Sequence, residues 1–286
     1  MTRRDFFLLM ICCLGWGGNF VIAAWALGNN PVPPYMLAAM RGSIVVALMG
    51  YFLFKPLPKK FGLLLIVCAL VGPVHLALLY TGLQSASATG SSIVSQFMIP
   101  MSTFLSIIFL KEKVGWVRGS AIFGAFIGVM IMIYDRSSLT LDIGLIYVLL
   151  AYISLAVASI IMKFVGDIAW QQYVAWMGLM VMISMGVGSF IFEQGQAEVW
   201  QISRVPLLIT ALYAAICVTI IAHGQYFNLI KRYDVSLVVP LTLMVPVFAT
   251  VLGVIFLNDD IYPRYAIGAF LILPCVYIIS AGTKSG

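Results

Sequence analysis

Charge is what this sequence has least of. Only 9% of its 286 residues are Asp, Glu, Lys or Arg, against 63% hydrophobic, and mean hydropathy is +1.08. A soluble domain carries charge on roughly a quarter of its residues, so a water-facing fold is excluded. No basic stripe with interleaved aromatics occurs, and a nucleic-acid partner is not expected. The five cysteines (Cys12, Cys13, Cys68, Cys217 and Cys275) all lie in apolar runs, with no C-x-x-C pair. That argues against a disulfide framework or a zinc site and leaves the thiols as packing residues. H-E-x-x-H, G-x-S-x-G, a P-loop and a pair of aspartates within an apolar run are all missing. Neither catalysis, ATP drive, a cofactor nor a metal is therefore expected.

What is present is apolar length. A helix of about 20 apolar residues crosses a hydrocarbon core of about 30 Å. The runs predict ten helices, at 6–28, 34–54, 61–83, 88–110, 116–134, 143–163, 170–192, 206–229, 235–257 and 263–281. Between them lie short turn-rich breaks such as "GNNPVPP", "KPLPKK", "KEKVG", "KRYD" and "EQGQAEVWQISR". None is long enough for a soluble domain. The expected fold is an all-α polytopic membrane protein.

Charge asymmetry sets its direction. With the N-terminus inside, cytoplasmic segments hold Arg3, Arg4, Lys55, Lys59, Lys60, Lys111, Lys113, Arg118, Lys163, Lys231, Arg232 and Lys284. The outer segments hold Arg136, Arg204 and Arg264, and Arg41 falls inside a span. Such a bias predicts both termini in the cytoplasm and residues 193–204 outside. A basic start before an apolar run is also the pattern of a cleaved leader. The length of the run, and its interruption by Trp16 and Asn19, favour a retained span.

The chain repeats itself. "SQFMIPMSTFLSIIFLKEKV" (95–114) resembles "LTLMVPVFATVLGVIFLNDDI" (241–261), and "ALLYTGLQ" (77–84) pairs with "HGQYFNLI" (223–230). The expected units are residues 5–135 and 142–281, each of five helices. Five is odd, so the second copy enters the membrane from the opposite side. Inverted repeats of this kind build many secondary transporters, with substrate at the midplane between the copies. Pro100 and Pro246 fall near the centres of equivalent spans and predict paired kinks that serve as hinges or cavity walls.

Several segments also resemble a known family. "GWGGNF", "MLAAMRG" with Arg41, "LYTGLQSASA", "IFLKEKV" and "RYDVSLVVPLTLMVPVFA" resemble the EamA-type carriers of the drug/metabolite transporter superfamily. Within that family they resemble the bacterial branch that exports cysteine and O-acetylserine. The resemblance implies ten spans in two inverted halves and the movement of amino acids or other small metabolites across a bacterial inner membrane. The helix 6 segment "AYISLAVASIIMKF" departs from the family's Trp-then-Asn pattern, offering Leu155 and Ser159 instead.

Polar side chains at mid-membrane are the site candidates, because such groups face a cavity or a partner helix. Asn19 lies near the middle of helix 1 among glycines, with Trp16 as an aromatic wall. It faces either a cavity or an interhelical hydrogen bond, the latter worth about 1 kcal/mol in lipid. His75, Tyr80, Ser92 and Gln96 are the other first-half candidates, Gln96 one turn before Pro100. Tyr152, Ser159, Trp176, His223, Tyr226 and Thr242 are those of the second half. Arg41 either snorkels outward or pairs with a substrate carboxylate. All ten acidic residues lie in loops or at span ends. That leaves His75 and His223 as the intramembrane groups whose unperturbed titration lies near neutral pH.

These features point to a secondary carrier that exports an amino-acid-like metabolite by alternating access. The expected partners are that solute and the lipid bilayer, with oligomeric state left open. A drug or nucleotide-sugar carrier of the same fold is the alternative, and a passive channel is the alternative from another class.

Overall fold

Hydrocarbon offers a backbone nothing to bond, so each apolar run must satisfy its own N–H and C=O groups, and a helix does this within one segment. The computed structural model describes residues 1–27, 32–83, 94–133, 143–202, 204–257 and 263–281, and all regular structure among them is helical. In chain order the helices are α1 (Arg3–Leu27), α2 (Pro34–Met49), α3 (Phe61–Ala69), α4 (His75–Leu83), α5 (Met98–Leu110), α6 (Trp116–Ile133) and α7 (Ile143–Met162). They continue with α8 (Trp170–Phe192), α9 (Gln196–Ile202), α10 (Arg204–Tyr213), α11 (Gly224–Arg232), α12 (Val235–Leu241), α13 (Met244–Leu257) and α14 (Pro263–Ala281). Among the described residues, six helical stretches are long and apolar enough to span a membrane: Pro34–Phe54, Phe61–Gly82, Ile143–Met162, Trp170–Phe192, Arg204–Arg232 and Val235–Phe256. Shorter apolar helices lie at Met98–Leu110, Trp116–Ile131 and Ala266–Ile279. Large apolar side chains face outward (Phe190 is 90% exposed), as suits a surface solvated by lipid.

Two spans are helical throughout but change pitch. Leu70–Val74 is a π-turn joining α3 to α4, with Pro73 inside it, and Ala214–His223 is a π-segment joining α10 to α11. A wider turn of this kind often marks a functional position. Two other spans are interrupted. Residues 96–97 and 242–243 form turns just before α5 and α13. Their bonds run three residues back, as from Ile99 N–H to the Gln96 carbonyl and from Val245 N–H to the Thr242 carbonyl. Pro100 and Pro246 are each the third residue of the helix that follows. They therefore open a new helix, where the expectation was a kink within a continuous one. The first turn has no intrahelical use for the N–H that proline lacks.

Packing partners are specific. α2 lies along α8, α6 along α14, α1 along α13 and the 214–223 π-segment, and α7 along both α4 and α5. The hydrophobic effect does not bring helices together in lipid, so close approach at small residues takes its place. A Cβ on Gly42 would stand 2.5 Å from the Met182 backbone nitrogen, and one on Gly17 would stand 2.9 Å from that of Ala249. Substitution at either glycine would push α2 from α8, or α1 from α13. The expected external loop around residue 197 contains α9, begun by Gly195 at φ +79°.

Candidate functional site

The glycine-rich face of α1 is used for packing, which turns Trp16 to a different side. Gly18 abuts Tyr213, whose hydroxyl donates to the Gly15 carbonyl at 3.1 Å. The Trp16 indole lies 5.5 Å from the His223 ring and 5.3 Å from the Tyr226 ring. Asn19 is one turn further along α1, near the same face, and partly buried. The Tyr226 hydroxyl lies 3.5 Å from Ser159 Oγ on α7, and Ser159 itself donates to the Leu155 carbonyl at 2.9 Å.

A second aromatic–imidazole pair stands on α4 and α7. His75 Nδ1 is 3.0 Å from the Ala151 carbonyl, and its ring meets Tyr152 edge-on at 5.2 Å. A carbonyl can only accept, so Nδ1 carries the hydrogen and a neutral ring keeps Nε2 as an acceptor. Ser95 lies within hydrogen-bond reach of Tyr152. His75 and His223 each stand at the end of a π-segment.

Arg41 on α2 links the two pairs. Its Nε donates to Thr219 Oγ1 at 2.5 Å, and the Thr219 hydroxyl donates to the Ala214 carbonyl at 2.8 Å. That second bond reaches five residues back, as the π-segment allows. The guanidinium lies within electrostatic range of His75, His223 and Tyr80. Beside it is a space of about 10 Å³, the room of one water, walled by Thr219, Val45, Val71, Leu76 and Met177. Among the described residues no carboxylate lies beside it.

The remaining candidates divide. Gln96 and Thr242 occupy the two breaks, where Gln96 Nε2 donates to Ser95 Oγ at 3.3 Å and Thr242 Oγ1 to the Val239 carbonyl at 2.6 Å. Tyr80 packs against Tyr35 at 6.0 Å, and Tyr35 shares a hydrogen bond with Thr81. Trp176 meets Phe61 edge-on at 4.9 Å. Ser92 lies outside the described residues. Thr219 was missed from sequence. Its signal was a hydroxyl one helical turn before His223 in an otherwise apolar run.

Two carboxylates cap helices far from them in sequence. Glu193, just after α8, accepts from the Tyr35 and Met36 backbone N–H groups at 2.6 and 2.9 Å. Glu112, just after α5, accepts from Val235 and Ser236 at 2.8 and 2.9 Å. In both cases an anion meets the positive end of a helix. Lys111 makes the second arrangement possible. Its left-handed backbone (φ +56°) ends α5 and turns the chain towards α12.

More contacts gather on the "KRYD" segment at the same end of the bundle. The Tyr233 hydroxyl donates to Asp5 at 2.6 Å, Thr2 Oγ1 to Asp5 at 2.8 Å, and Arg232 pairs with Asp5 at 3.7 Å. Lys163 donates to the Tyr233 carbonyl, Lys231 to that of Gly166, and Arg118 approaches Asp234 at 4.0 Å. The Tyr233 hydrogen bond is the main reason the Asp5 carboxyl titrates below the usual carboxylate range. Burial opposes this, while Thr2, Arg232 and Arg4 reinforce it.

Comparison with known proteins bears on the family and the fold. A probable amino-acid metabolite efflux pump of Escherichia coli (strain K12) is 26% identical over 293 residues, covering 99% of this chain and 97% of its own. A pump of the same description from Salmonella typhimurium is 25% identical over 288 residues, covering 97% and 95%. One solved crystal structure superposes over all of both chains with a TM-score of 0.83 at 16% identity, a likeness of fold. A model of the EamA-like transporter family matches residues 4–134 and again 142–281. Since the two matches take in nearly the whole chain, this multi-pass membrane protein belongs to the EamA-like transporter family.

Proposed function

We propose that the protein is an inner-membrane secondary transporter that exports amino acids or related small polar metabolites by alternating access. The observation that carries the reading is the cluster of Arg41, His75, His223, Trp16 and Tyr152 inside an apolar bundle. Ionisable and polar side chains are expensive there and are kept where a solute passes. Asn19, Tyr80, Ser159, Tyr226, Ser92, Gln96 and Thr242 extend the site, and Trp176 belongs to its periphery. The names of the two bacterial relatives supply the solute class.

The mechanism follows from ten spans in two inverted units, 5–135 and 142–281, with both termini cytoplasmic. The packing pattern supports the inversion. Exchanging the units maps the α1–α13 contact onto α7–α5 and the α1–π-segment contact onto α7–α4, and it returns α2–α8 and α6–α14 to themselves. The breaks agree: 96 to 242 and 100 to 246 are both separations of 146 residues. Discontinuous helices at a repeat interface are where such carriers bind solute. Pro100 and Pro246 serve as the hinges. The contacts around "KRYD" and Glu112 act as the cytoplasmic gate.

The test is counterflow in sealed proteoliposomes preloaded with unlabelled L-amino acids. Labelled amino acid should accumulate transiently above its external concentration in loaded vesicles only. Uptake that merely equilibrates, independent of preloading, would indicate a channel and overturn the carrier mechanism.

A further inference from the structure

Arg41 is tied inward, which speaks against the snorkelling reading. A snorkelling arginine carries its head to the membrane surface. Here Nε is held by Thr219, itself anchored on Ala214, deep in the π-segment that ends at His223. The two terminal nitrogens donate to no protein group among the described residues. Nothing anionic on the described chain balances the charge. A half-buried cation inside an apolar bundle, with no counter-ion among the described residues, is unfavourable unless something else supplies the anion for part of the cycle.

We propose that the terminal nitrogens of Arg41 are the carboxylate anchor of the transported solute; this rests on the amino-acid reading above and assigns its recognition point. A guanidinium presents a planar donor fork that matches a carboxylate bidentately, and Thr219 fixes the plane of the fork by taking Nε. One positive charge suits one carboxylate and leaves a phosphate dianion half unbalanced. His75 Nε2, an acceptor within the field of Arg41, is complementary to the ammonium end of the same solute. The space beside the fork has the room of one water, so docking requires its walls to part. One wall is the π-turn Leu70–Val74, which contributes Val71 and Gly72.

The experiment is counterflow of a labelled L-amino acid mixture, with unlabelled amino acids or their carboxamides as competitors. The carboxamide keeps size and ammonium and loses only the anion. With the parent protein, carboxamides should compete at least about thirty-fold less well. In Arg41→Gln the KM for the acids should rise by about as much, with a smaller change in maximal rate, and the preference for acid over amide should disappear. Arg41→Lys keeps the charge without the fork, and should retain the preference with a raised KM. If the parent accepts acid and amide equally, or Arg41→Gln keeps the parent's KM and preference, the anchor is refuted while amino-acid transport stands. If the parent exchanges no amino acid, the transport reading falls and the anchor with it. Should Arg41→Gln fail to fold, the parent's discrimination and Arg41→Lys still decide.

Discussion

Glu112 offers the most direct test of the gate. Its carboxylate holds the first two free N–H groups of α12 from the end of α5, so one side chain joins two helices. Removing a helix cap costs about 1–2 kcal/mol, and a hydrogen bond to a charged group is worth roughly 1.5–3 kcal/mol. Glu112 is only partly buried, and water recovers some of the loss, so Glu112→Ala should weaken the junction by about 2 kcal/mol. If that junction limits opening, the open population rises roughly thirty-fold. Glu112→Gln keeps one acceptor and should give about fivefold, corresponding to about 1 kcal/mol. Cys13 reports the change. It is fully buried in α1, with its sulfur 3.9 Å from the Leu241 carbonyl at the end of α12. In a background with Cys12, Cys68, Cys217 and Cys275 replaced by alanine, an impermeant thiol reagent applied to inside-out vesicles should modify Cys13 faster by those factors. Glu193→Ala removes the same chemistry at the other end and should leave the rate unchanged. A Cys13 rate in folded Glu112→Ala equal to the parent's would refute the latch.

Three other outcomes are expected. A cysteine at Ala197, exposed on α9, should label from outside in intact spheroplasts, and labelling from the inside alone would reverse the topology. Asn19→Leu should abolish counterflow while the melting temperature in detergent stays within a few degrees; full transport, or loss of the fold, would make Asn19 a packing residue. The native carboxyl of Asp5 is held low, so its contribution to stability is complete above the ordinary carboxylate pKa and is lost as pH falls through the lower native value. Thermal melts between pH 6 and pH 2 should therefore show an acid-side loss that Asp5→Asn diminishes; an unchanged acid limb would exclude Asp5 as a contributor.

Trp170–Phe192 matches the sequence expectation residue for residue, because a long apolar run bounded by turn signals states its own ends. The Arg204–Arg232 span runs beyond both expected ends, since hydropathy does not register the π-segment that keeps it helical. Pro100 and Pro246 were legible as a symmetric pair, yet their effect was not. Whether proline kinks a helix or opens one depends on where neighbouring backbone groups find partners.

What the sequence determined by itself is therefore the one-dimensional part: a membrane bundle of helices, a repeated motif and a short set of polar residues in apolar runs. Those follow from local composition, because lipid penalises every unbonded backbone group and every unneeded charge wherever it lies. The tertiary structure decided which of those residues meet. His75 and His223 are out of register in the repeat, yet both come within the field of Arg41. Thr219 matters because a widened turn aims its hydroxyl across to α2, and Trp176 meets Phe61. Glu112 and Glu193 cap helices more than a hundred residues away in the chain. Such juxtapositions depend on how rods rotate and cross at their glycines, a geometry that no pattern along a single helix encodes.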